Sequence, residues 1–537
     1  MLCSFGDASL NHSTAQGAIN WAAHAHYAGH DLPLLFVCED NGLGISVATP
    51  TDWVANSMRS SLFKTCHVDG SDPVAVLSAT RELAASIRKT GRPGFLRLST
   101  VRYLGHAGTD VESAYRSQSE LRAELARDPI LGTARTLVQC GAATPQALID
   151  RYCSSRADVR RAALSLADEP EFTSADQVMA PITRHVASPA ADRSAPSITA
   201  TAPALTLAQT INETLADVLD EKPNAIVFGE DVGRKGGVYG VTRGLQKRFG
   251  DHRVFDTLLD EQSILGLALG SGLNGLLPIP EIQYLAYLHN AEDQLRGEAA
   301  TLQFFSTGQY ANPMVVRVAS YGYQRGFGGH FHNDNSIAVL RDIPGLVIAS
   351  PAHPADAGPM LRACVATADV NGAVCVFLEP IARYHTTGLH TDDDGLWTAP
   401  LDTSVAEIGQ GRVHGDGSDL TILTWGNGLY LSLRAAATLE RDHGVSARIV
   451  DLRWIAPMPT ELMLAEAEVT GNVLVVDETR RTGGVGEGIV AELVAGGFAG
   501  SISRVAAQDS FVPLGAAANL VLVSEADIVV AALDIVG

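Results

Sequence analysis

Apolar residues in the first hundred positions form two alternating patterns, one typical of helices and one of buried strands. A small-residue segment at 16–28 and an amphipathic segment at 74–89 predict helices. Short apolar runs at 34–38 and 94–99 predict strands. Because strands that alternate with helices are typical of a parallel sheet, this part of the chain predicts an α/β layer.

The pattern then changes twice before a second series begins. From about residue 117 to 166 it is helical and charged, which predicts a helical extension of the first domain. Residues 183–203 are rich in Ala, Pro, Ser and Thr and have little periodicity. That composition is typical of a linker.

Two more series of helices and strands follow. In the second, the predicted strands are 225–229, 313–318, 346–349 and 373–378, with one helix ending at 219 and another beginning at 354. After a polar break at 390–395, the third has predicted strands at 420–424, 447–451 and 472–476 and helices at 429–442 and 485–494. We therefore predict an α/β protein with domains at 1–180, 205–385 and 406–537 and a linker at 181–204.

Composition and charge narrow the class of protein. The chain has 537 residues, too many for one core, and its net charge of -21 argues against nucleic acid or an anionic membrane as a partner. Its 7 cysteines include no Cys-x-x-Cys pair, which favours buried thiols in a reducing compartment over a zinc ribbon. No apolar run reaches the roughly 18 uncharged residues of a membrane helix. No secretory signal is visible, so we expect a cytoplasmic protein.

Polar residues follow two predicted strands, the apolar strand that opens the chain and the strand at 34–38. Gly6-Asp7-Ala8 comes after the first strand, and Asn41 lies 34 positions beyond Asp7, after one helix and one more strand. Both polar ends are therefore expected at the carboxyl edge of a parallel sheet, where such sheets bind ligands. The Asp7 carboxylate, the Asn41 amide oxygen and the backbone carbonyl of Leu43 are hard ligands that suit Mg²⁺ holding a diphosphate. The alternative is an ordinary Asp-capped turn beside a strand-ending Asn.

This arrangement resembles the fingerprint of enzymes that use thiamine diphosphate. Ala8 replaces the usual third glycine, Asp40 precedes Asn41 where Asn is common, and the spacer is longer than usual. The resemblance implies that Gly6, Asp7, Ala8 and Asn41 bind the cofactor.

The same resemblance assigns further roles near this motif. It implies that Asp7, Asn41 and the carbonyl of Leu43 hold Mg²⁺. It also implies that Ile45 is the apolar wedge that bends the cofactor. Plain core packing is the alternative role for Ile45, and one side chain can serve both.

A later loop carries a candidate active-site histidine. Residues 103–106, Tyr-Leu-Gly-His, resemble the family's Tyr-His-Gly-His loop, with Leu104 in place of the first histidine. The resemblance implies that His106 orients a cofactor phosphate or relays a proton, as an imidazole can near neutral pH. The alternative is a histidine in a surface loop.

The second series carries several short motifs in the order found in the β subunit of thiamine-diphosphate-dependent 2-oxo acid dehydrogenases. They occupy residues 228–233, 236–239, 249–257, 281–284, 328–332 and 344–346. The third series, with 451–457 and 504–507, resembles the C-terminal domain of the family, which serves dimerisation and docking. The chain thus resembles an α and a β subunit of this family fused into one polypeptide.

Glu261 is the catalytic residue that the resemblance implies. In the family, a carboxyl group at this position hydrogen-bonds the pyrimidine ring of thiamine diphosphate and makes the cofactor nucleophilic. The alternative is a glutamate that only begins a helix, where its charge favours the N-terminal dipole.

Two further side chains, one imidazole and one aromatic, complete the predicted site. His332 aligns with the histidine that helps to transfer the acyl group to a lipoyl sulfur, and Tyr284 with an aromatic residue near the pyrimidine. The neighbouring His330 receives no role. Ala286 lies in a region where many members have Asp, which leaves the substrate preference open.

The resemblance implies oxidative decarboxylation of a branched-chain or pyruvate-like 2-oxo acid with thiamine diphosphate and Mg²⁺. It implies acyl transfer to a lipoyl-bearing dihydrolipoyl acyltransferase core, by a homodimer with two sites. The alternatives are an acetoin or transketolase-type reaction, and a non-catalytic regulatory or partner protein with the same fold.

The chain begins directly on an apolar strand. Because such a strand needs neighbours to pair with, we expect that upstream sequence is missing. In the family, that segment includes part of the phosphate-binding surface and another active-site histidine.

Overall fold

The structure, a computed structural model, describes residues 1–58, 63–183, 203–324, 332–392 and 394–537. It divides into two compact units, Met1–Thr173 and Ser174–Gly537. Both are built of parallel sheets and helices, so the predicted α/β class is confirmed. Most of the predicted linker, and His330, lie outside the described residues.

In the first unit, strands and helices alternate as predicted. The strands are β1 (Leu2–Gly6), β2 (Leu35–Asp40), β3 (Leu43–Gly44), β4 (Val47–Ala48), β5 (Lys64–Asp69) and β6 (Gly94–Ser99). The α-helices are α1 (Ser13–Tyr27), α2 (Trp53–Ser57), α3 (Pro73–Thr90), α4 (Gln118–Leu125), α5 (Pro129–Gln139) and α6 (Pro145–Ser165).

A parallel sheet in the order β1-β2-β6-β5 forms the centre of the first unit. Helices cover both of its faces: Phe36 packs in one cluster with Ile19 of α1, and Leu35 packs in another with Leu83 of α3. The carboxyl ends of β1 and β2 lie side by side, because the two strands are paired in parallel through their last residues. The sheet therefore places the residues that follow these strands next to each other.

The predicted helical extension is present as α4, α5 and α6. Each helix begins after an N-cap side chain, Ser117, Asp128 or Thr144, that accepts a hydrogen bond from a backbone N–H of the first turn. None of the three helices contains a buried residue. They therefore lie on the surface of the first unit.

The second unit contains two sheets. The strands are β7 (Ala225–Gly229), β8 (Val254–Asp256), β9 (Leu277–Ile282), β10 (Met314–Ser320), β11 (Val347–Ala349), β12 (Val374–Pro380), β13 (Arg412–His414), β14 (Leu420–Thr424), β15 (Ala447–Asp451), β16 (Trp454–Ala456), β17 (Asn472–Arg480) and β18 (Ser501–Ala507).

The helices of the second unit alternate with these strands. They are α7 (Ala175–Thr183), α8 (Leu207–Glu221), α9 (Leu245–Phe249), α10 (Glu261–Leu273), α11 (Leu285–Leu288), α12 (Ala300–Phe305), α13 (Ala338–Arg341), α14 (Pro354–Asn371), α15 (Asn427–His443), α16 (Thr460–Thr470), α17 (Val485–Ala495) and α18 (Glu525–Val536). Shorter helical turns include the 3₁₀ helices His289–Ala291, Ile381–Arg383 and Gly515–Leu520 and the π-helix Gln294–Ala299.

The larger sheet has the strand order β16-β11-β12-β10-β9-β7-β8 and is parallel except for β16. Its central strands β10 and β12 are buried along their whole length. Helices α8 and α14 pack against one face, and α10 contributes to the core on the other. Continuous apolar strands are expected in a parallel sheet that is covered on both faces.

The smaller sheet has the order β13-β15-β14-β17-β18, with β13 antiparallel to its neighbour. Helices α15 and α18 share one core cluster against it, and α16 and α17 contribute to another. Strand β16 follows β15 in the chain but leaves this sheet and pairs with β11 of the larger one. The two sheets of the second unit are therefore joined through one strand.

A buried ion network crosses the larger sheet. Arg317 on β10 is 1 % exposed and donates to Glu281 on β9 and to Glu379 on β12, each at 2.7 Å. The Tyr384 hydroxyl also donates to Glu379, at 2.5 Å. One guanidinium thus connects three adjacent strands.

Among the described residues, one stretch, Gly515–Val536, has the length and mean hydropathy, 1.8, of a membrane-crossing helix. It includes Glu525 and Asp527, and α18 buries Ile528 and Ala532 in a core cluster shared with α15. Core helices of globular proteins pass the same test of composition.

Candidate active site

In the first unit, Asp7 is buried at the carboxyl end of β1. It follows Gly6, the last residue of β1, and is 1 % exposed. Its carboxylate accepts a hydrogen bond from the Thr49 hydroxyl at 2.7 Å and one from the backbone N–H of Asn41 at 3.4 Å. The structure therefore brings together the two polar residues that the sequence predicted.

Asn41 opens a short loop that folds back toward Asp7. Its amide oxygen accepts from the backbone N–H of Leu43 at 3.0 Å, and the Thr49 N–H donates to the carbonyl of Gly42 at 2.9 Å. Strands β3 and β4 pair within this loop as a small hairpin. The hairpin returns the chain so that Thr49, which the sequence analysis missed, reaches the Asp7 carboxylate.

Ile45 lies at the turn of this hairpin in an unfavourable backbone conformation. Its φ is 58° and its side chain is 61 % exposed. A β-branched residue rarely adopts left-handed backbone angles, because its side chain is then crowded by the main chain. The Arg102 guanidinium donates to the carbonyl of Ile45 at 2.6 Å and holds the turn in place. Strain of this kind is concentrated at functional sites.

Ala8 begins the 3₁₀ helix Ala8–Asn11 and lies against the hairpin. A Cβ atom built on Gly44 would be 2.8 Å from the methyl carbon of Ala8, closer than two carbons can approach. Ala8 thus occupies space beside the loop that a glycine at position 8 would leave empty. The absence of a side chain at Gly44 makes room for it.

The environment of Asp7 fits a bound cation. Among the described residues, we find no Lys, Arg or His at ion-pair distance from this buried carboxylate, which bonds only a hydroxyl and an amide. Burial and the carboxylates of Asp40 and Asp7 raise the pKa of the Cys38 thiol to about 12. A buried carboxylate with no positive partner is costly unless a ligand supplies the charge.

In the described parts of the chain, no group of three or more His, Cys, Asp and Glu side chains could hold a metal. The predicted Mg²⁺ ligands are one carboxylate, one amide and one backbone carbonyl. Only one of the three is a His, Cys, Asp or Glu side chain, so they do not form such a group.

His106 lies in an exposed loop of the first unit. Its backbone N–H donates to Asp110 at 2.7 Å, and Asp110 also accepts from the Tyr115 hydroxyl at 2.9 Å. In the described part of the chain, we find no hydrogen bond between its imidazole and Asp7 or Asn41. The loop is thus ordered by Asp110, while the role of His106 remains a prediction.

In the second unit, Glu261 is the first residue of α10 and is 6 % exposed. Its carboxylate accepts a hydrogen bond from the Asn290 amide at 3.0 Å. Glu230, directly after β7, lies close enough that the charge of Glu261 adds to the effect of burial and raises the pKa of Glu230 to about 7. Glu261 is therefore a buried carboxylate with an amide donor and a second carboxyl group nearby.

Two aromatic side chains, Tyr284 and Tyr287, contact the predicted acyl-transfer histidine. The ring centroids of Tyr284 and His332 are 4.5 Å apart, and the Tyr287 hydroxyl lies 3.3 Å from Nε2 of His332. The Tyr239 hydroxyl donates to the hydroxyl of Tyr284 at 3.3 Å. Burial raises the pKa of Tyr287, and the charge of Glu261 contributes to that rise. Glu261, Tyr284 and His332 are therefore parts of one site in the second unit.

The segment after His332 is anchored by an arginine and a histidine. Asp334 accepts from Arg480 at 3.3 Å, and the His289 imidazole lies 3.2 Å from its carboxylate. His289 directly precedes Asn290, the donor to Glu261. One short turn, His289–Ala291, therefore connects the surroundings of both predicted catalytic residues.

Several of these contacts had no signal in the sequence. Glu230 belongs to a motif that was recognised, but its proximity to Glu261 depends on the packing of β7 beside α10. Asn290 and Tyr287 follow no motif, and the turn that directs them forms only in the folded unit.

Models of known protein families match three successive segments of the chain. Residues 1–173 match the family model described as dehydrogenase E1 component. Residues 203–382 match the transketolase pyrimidine binding domain, and residues 409–528 match the transketolase C-terminal domain.

Curated relatives cover the second unit. The pyruvate dehydrogenase E1 component subunit beta of Bacillus subtilis is 34 % identical over 332 residues, which are 60 % of this chain and 96 % of the relative. The protein of the same name from Staphylococcus epidermidis is 35 % identical over 333 residues, again 60 % of this chain and 96 % of the relative. The Staphylococcus aureus protein gives the same identity and coverage.

A solved structure supports the fold of the same region. It is described as a split gene transketolase, inactive beta4 tetramer, and it matches with a TM-score of 0.50 and 21 % identity. The match covers 62 % of this chain and 99 % of that one. At this identity the likeness shows the fold alone.

Proposed function

Because the chain belongs to the thiamine-diphosphate-dependent 2-oxo acid dehydrogenases, as an E1 component with α-type and β-type regions in one polypeptide, we propose that its substrate is a short, pyruvate-like 2-oxo acid. We further propose that the acyl group passes to a lipoyl group of a dihydrolipoyl acyltransferase core. The names of the curated relatives support pyruvate over a branched-chain acid.

The position of Glu261 is the observation that supports decarboxylation with thiamine diphosphate. Thiamine diphosphate, when bound, supplies the carbon nucleophile and the electron sink for decarboxylation. The protein's contribution at this point is a carboxyl group that is buried, oriented by Asn290 and placed at the start of a helix. A carboxyl group held in this way can exchange a proton with the pyrimidine ring without competition from water. Glu230, with its pKa near 7, is a second group that can hold a proton beside it.

Replacing Glu261 by Ala tests this role. We expect turnover of pyruvate with a dye acceptor to fall at least about 100-fold, since general acid–base groups typically contribute that much. Binding of thiamine diphosphate should change far less, because most of the cofactor's contacts lie elsewhere. Glu298→Ala, an exposed glutamate nearby, is the matched control and should retain full activity. Unchanged turnover in the Glu261 variant would exclude the proposed mechanism.

Mg²⁺ is part of the proposal for the first unit. The Asp7 carboxylate, the Asn41 amide and the Leu43 carbonyl are the groups that would hold the ion, and the ion would hold the diphosphate. The exposed side chain of Ile45 would support the bent cofactor. The unpaired, buried charge of Asp7 supports this assignment.

Acyl transfer is assigned to His332. Its Nε2 faces the Tyr287 hydroxyl, and its ring packs against Tyr284, so its orientation is restricted on two sides. A histidine fixed in this way can protonate the leaving sulfur of the lipoyl disulfide while the S–S bond breaks and the acyl carbon bonds the other sulfur. Comparison of kcat/KM for pyruvate, 2-oxobutanoate and 3-methyl-2-oxobutanoate separates a pyruvate-like from a branched-chain preference. Highest efficiency with the branched acid would overturn the proposed substrate.

A further inference from the structure

The second unit contains a cavity of about 1080 Å³ between the end of β12, the first turns of α15 and the 3₁₀ helix Gly515–Leu520. We call it the Arg383 cavity. Its walls include Arg383, His385, Tyr430, Arg434 and Asn519. Its volume is in the range of cavities that hold small-molecule ligands. Glu261, Tyr284 and His332 do not line it, but Tyr239, which donates to Tyr284, and Asn333, which follows His332, do, so the cavity adjoins the site assigned to the cofactor.

Arg383 is the central charged group of this cavity. Its Nε donates to the amide oxygen of Asn427 at 3.0 Å, and its guanidinium carbon lies 4.1 Å from the centre of the Tyr430 ring. Burial lowers the pKa of the guanidinium. In the part of the chain that the structure describes, no carboxylate forms an ion pair with it. The side chain is thus held in one orientation by neutral groups.

The buried acid Glu478 attracts this charge but, among the described residues, is not at ion-pair distance from it. Glu478 lies behind Asn427, which donates to its two carboxyl oxygens from the backbone N–H at 2.7 Å and from the side-chain amide at 2.8 Å. Burial raises the pKa of Glu478 to about 8, and the charge of Arg383 opposes that rise. The other arginine of the wall, Arg434, is already paired with Glu525 at 2.8 Å. Among the described residues, Arg383 is therefore an arginine of the cavity wall that forms no ion pair.

A half-buried cation in a cavity wall is costly when no ion pair compensates it, and a ligand of opposite charge can do so. Guanidinium groups bind carboxylates and phosphates through paired hydrogen bonds. The wall also offers the neutral donors Asn519 and Thr387, while Asp392 is its acidic member. We propose that the Arg383 cavity binds a small organic oxyanion, whose carboxylate or phosphate oxygens pair with Arg383. This site is additional to the cofactor and the 2-oxo acid.

Binding of simple anions to the protein saturated with thiamine diphosphate and Mg²⁺ tests the proposal. Saturation with the cofactor keeps its own diphosphate site filled. Inorganic phosphate and malonate are titrated separately by calorimetry, at ionic strength matched with chloride. The two probes distinguish a phosphate ligand from a carboxylate ligand. We expect saturable binding of at least one, and its absence for both would overturn the proposal.

Variants locate the binding within the molecule. Arg383→Gln should weaken binding at least about tenfold, as expected for loss of a charge-assisted pair. Arg383→Lys keeps the charge and should retain most of the affinity. The control Arg441→Gln, on the exposed side of α15 and bonded to Asp442, should bind like the parent protein. Equal binding by Arg383→Gln and the parent would exclude Arg383 as the site.

Thermal unfolding without added anion separates a binding role from a structural one. Because Arg383 is half-buried and forms no ion pair among the described residues, Arg383→Gln should have a melting temperature equal to or above that of the parent. A clear fall would identify Arg383 as a structural residue and overturn the proposal. This result does not depend on the decarboxylation activity, so it is independent of the proposed function.

Discussion

Asp7 shows how one side chain can combine burial with an unsatisfied charge. It is 1 % exposed, and its bonds come from Thr49 and from the backbone of Asn41. A hydroxyl and an amide orient a carboxylate but do not neutralise it. Arg383 is a comparable case of opposite charge, because a neutral amide orients its guanidinium and no described carboxylate forms an ion pair with it.

Asp7→Asn should weaken the binding of thiamine diphosphate in the presence of Mg²⁺ at least about tenfold, because the metal loses its one charged protein ligand. Calorimetric titration with and without Mg²⁺ measures this effect. Binding to the parent protein should depend on Mg²⁺, and binding to the variant should not. Asp158→Asn, in the exposed pair with Arg161, is the control. Mg²⁺-independent binding to the parent would contradict the assignment.

Tyr287→Phe tests the orientation of His332 at the same scale. We expect transfer to a lipoyl acceptor to slow about 3- to 10-fold, the effect of one hydrogen bond of about 0.5–1.5 kcal/mol. Dye-coupled decarboxylation should be retained, since the hydroxyl acts on the transfer step. Tyr310→Phe, an exposed tyrosine, serves as control. Equal losses in both assays would argue for a general structural role of Tyr287.

At the scale of elements, the buried network of Arg317 connects β9, β10 and β12. The arginine pairs with two buried carboxylates, one of which also accepts from the Tyr384 hydroxyl. Burial raises the pKa of Glu281, with Arg317 opposing that rise. The arrangement therefore depends on the guanidinium remaining between the two acids.

Arg317→Met should destabilise the second unit by about 3–5 kcal/mol at pH 8, since it leaves buried carboxylates without a partner. The loss should be smaller at pH 5.5. A folded-state pKa above the unfolded value favours the folded protein at low pH, and this advantage is lost as the pH rises through the folded-state pKa. Urea unfolding at both pH values measures the change. Arg248→Met, in the exposed pair with Asp220, should cost less than about 1 kcal/mol. Equal costs for the two variants would contradict this interpretation.

Much of the element order was predictable, and the exceptions have physical reasons. β6, β7, β14 and β15 have the predicted bounds, because each is an apolar run between clear turn signals. β9 was missed because Pro278 and Pro280 argue against a central strand. The structure accommodates them since pairing with β10 begins only at Glu281. Strand β9 lies between β7 and β10, but both prolines precede the residues of β9 that pair with β10.

The candidate site was predictable to the extent that it follows strand ends and linear motifs. Asp7 and Asn41 meet because parallel strands place their carboxyl ends together. Asn290, Tyr287 and Thr49 could not be predicted, because their contacts depend on a turn or hairpin that brings distant positions together.

At the scale of the whole molecule, we expect two chains to assemble. The family resemblance implies two α-type and two β-type regions per functional particle, and one fused chain supplies one of each. Light scattering at micromolar concentration should give about twice the chain mass of 56.6 kDa. The net charge of -21 opposes association at low salt, so the measurement belongs near physiological ionic strength. A monomer that is active under these conditions would contradict the expectation.

Strand β16 is the edge strand of the larger sheet and covers β11. It pairs with β11 at the end of the strand order, although the chain reaches it only after β15 of the smaller sheet. Without β16, the N–H and C=O groups of β11 would be open to pairing with another molecule, which is a common route to aggregation. A protein shortened before residue 454 is therefore expected to precipitate instead of yielding a soluble pyrimidine-binding fragment.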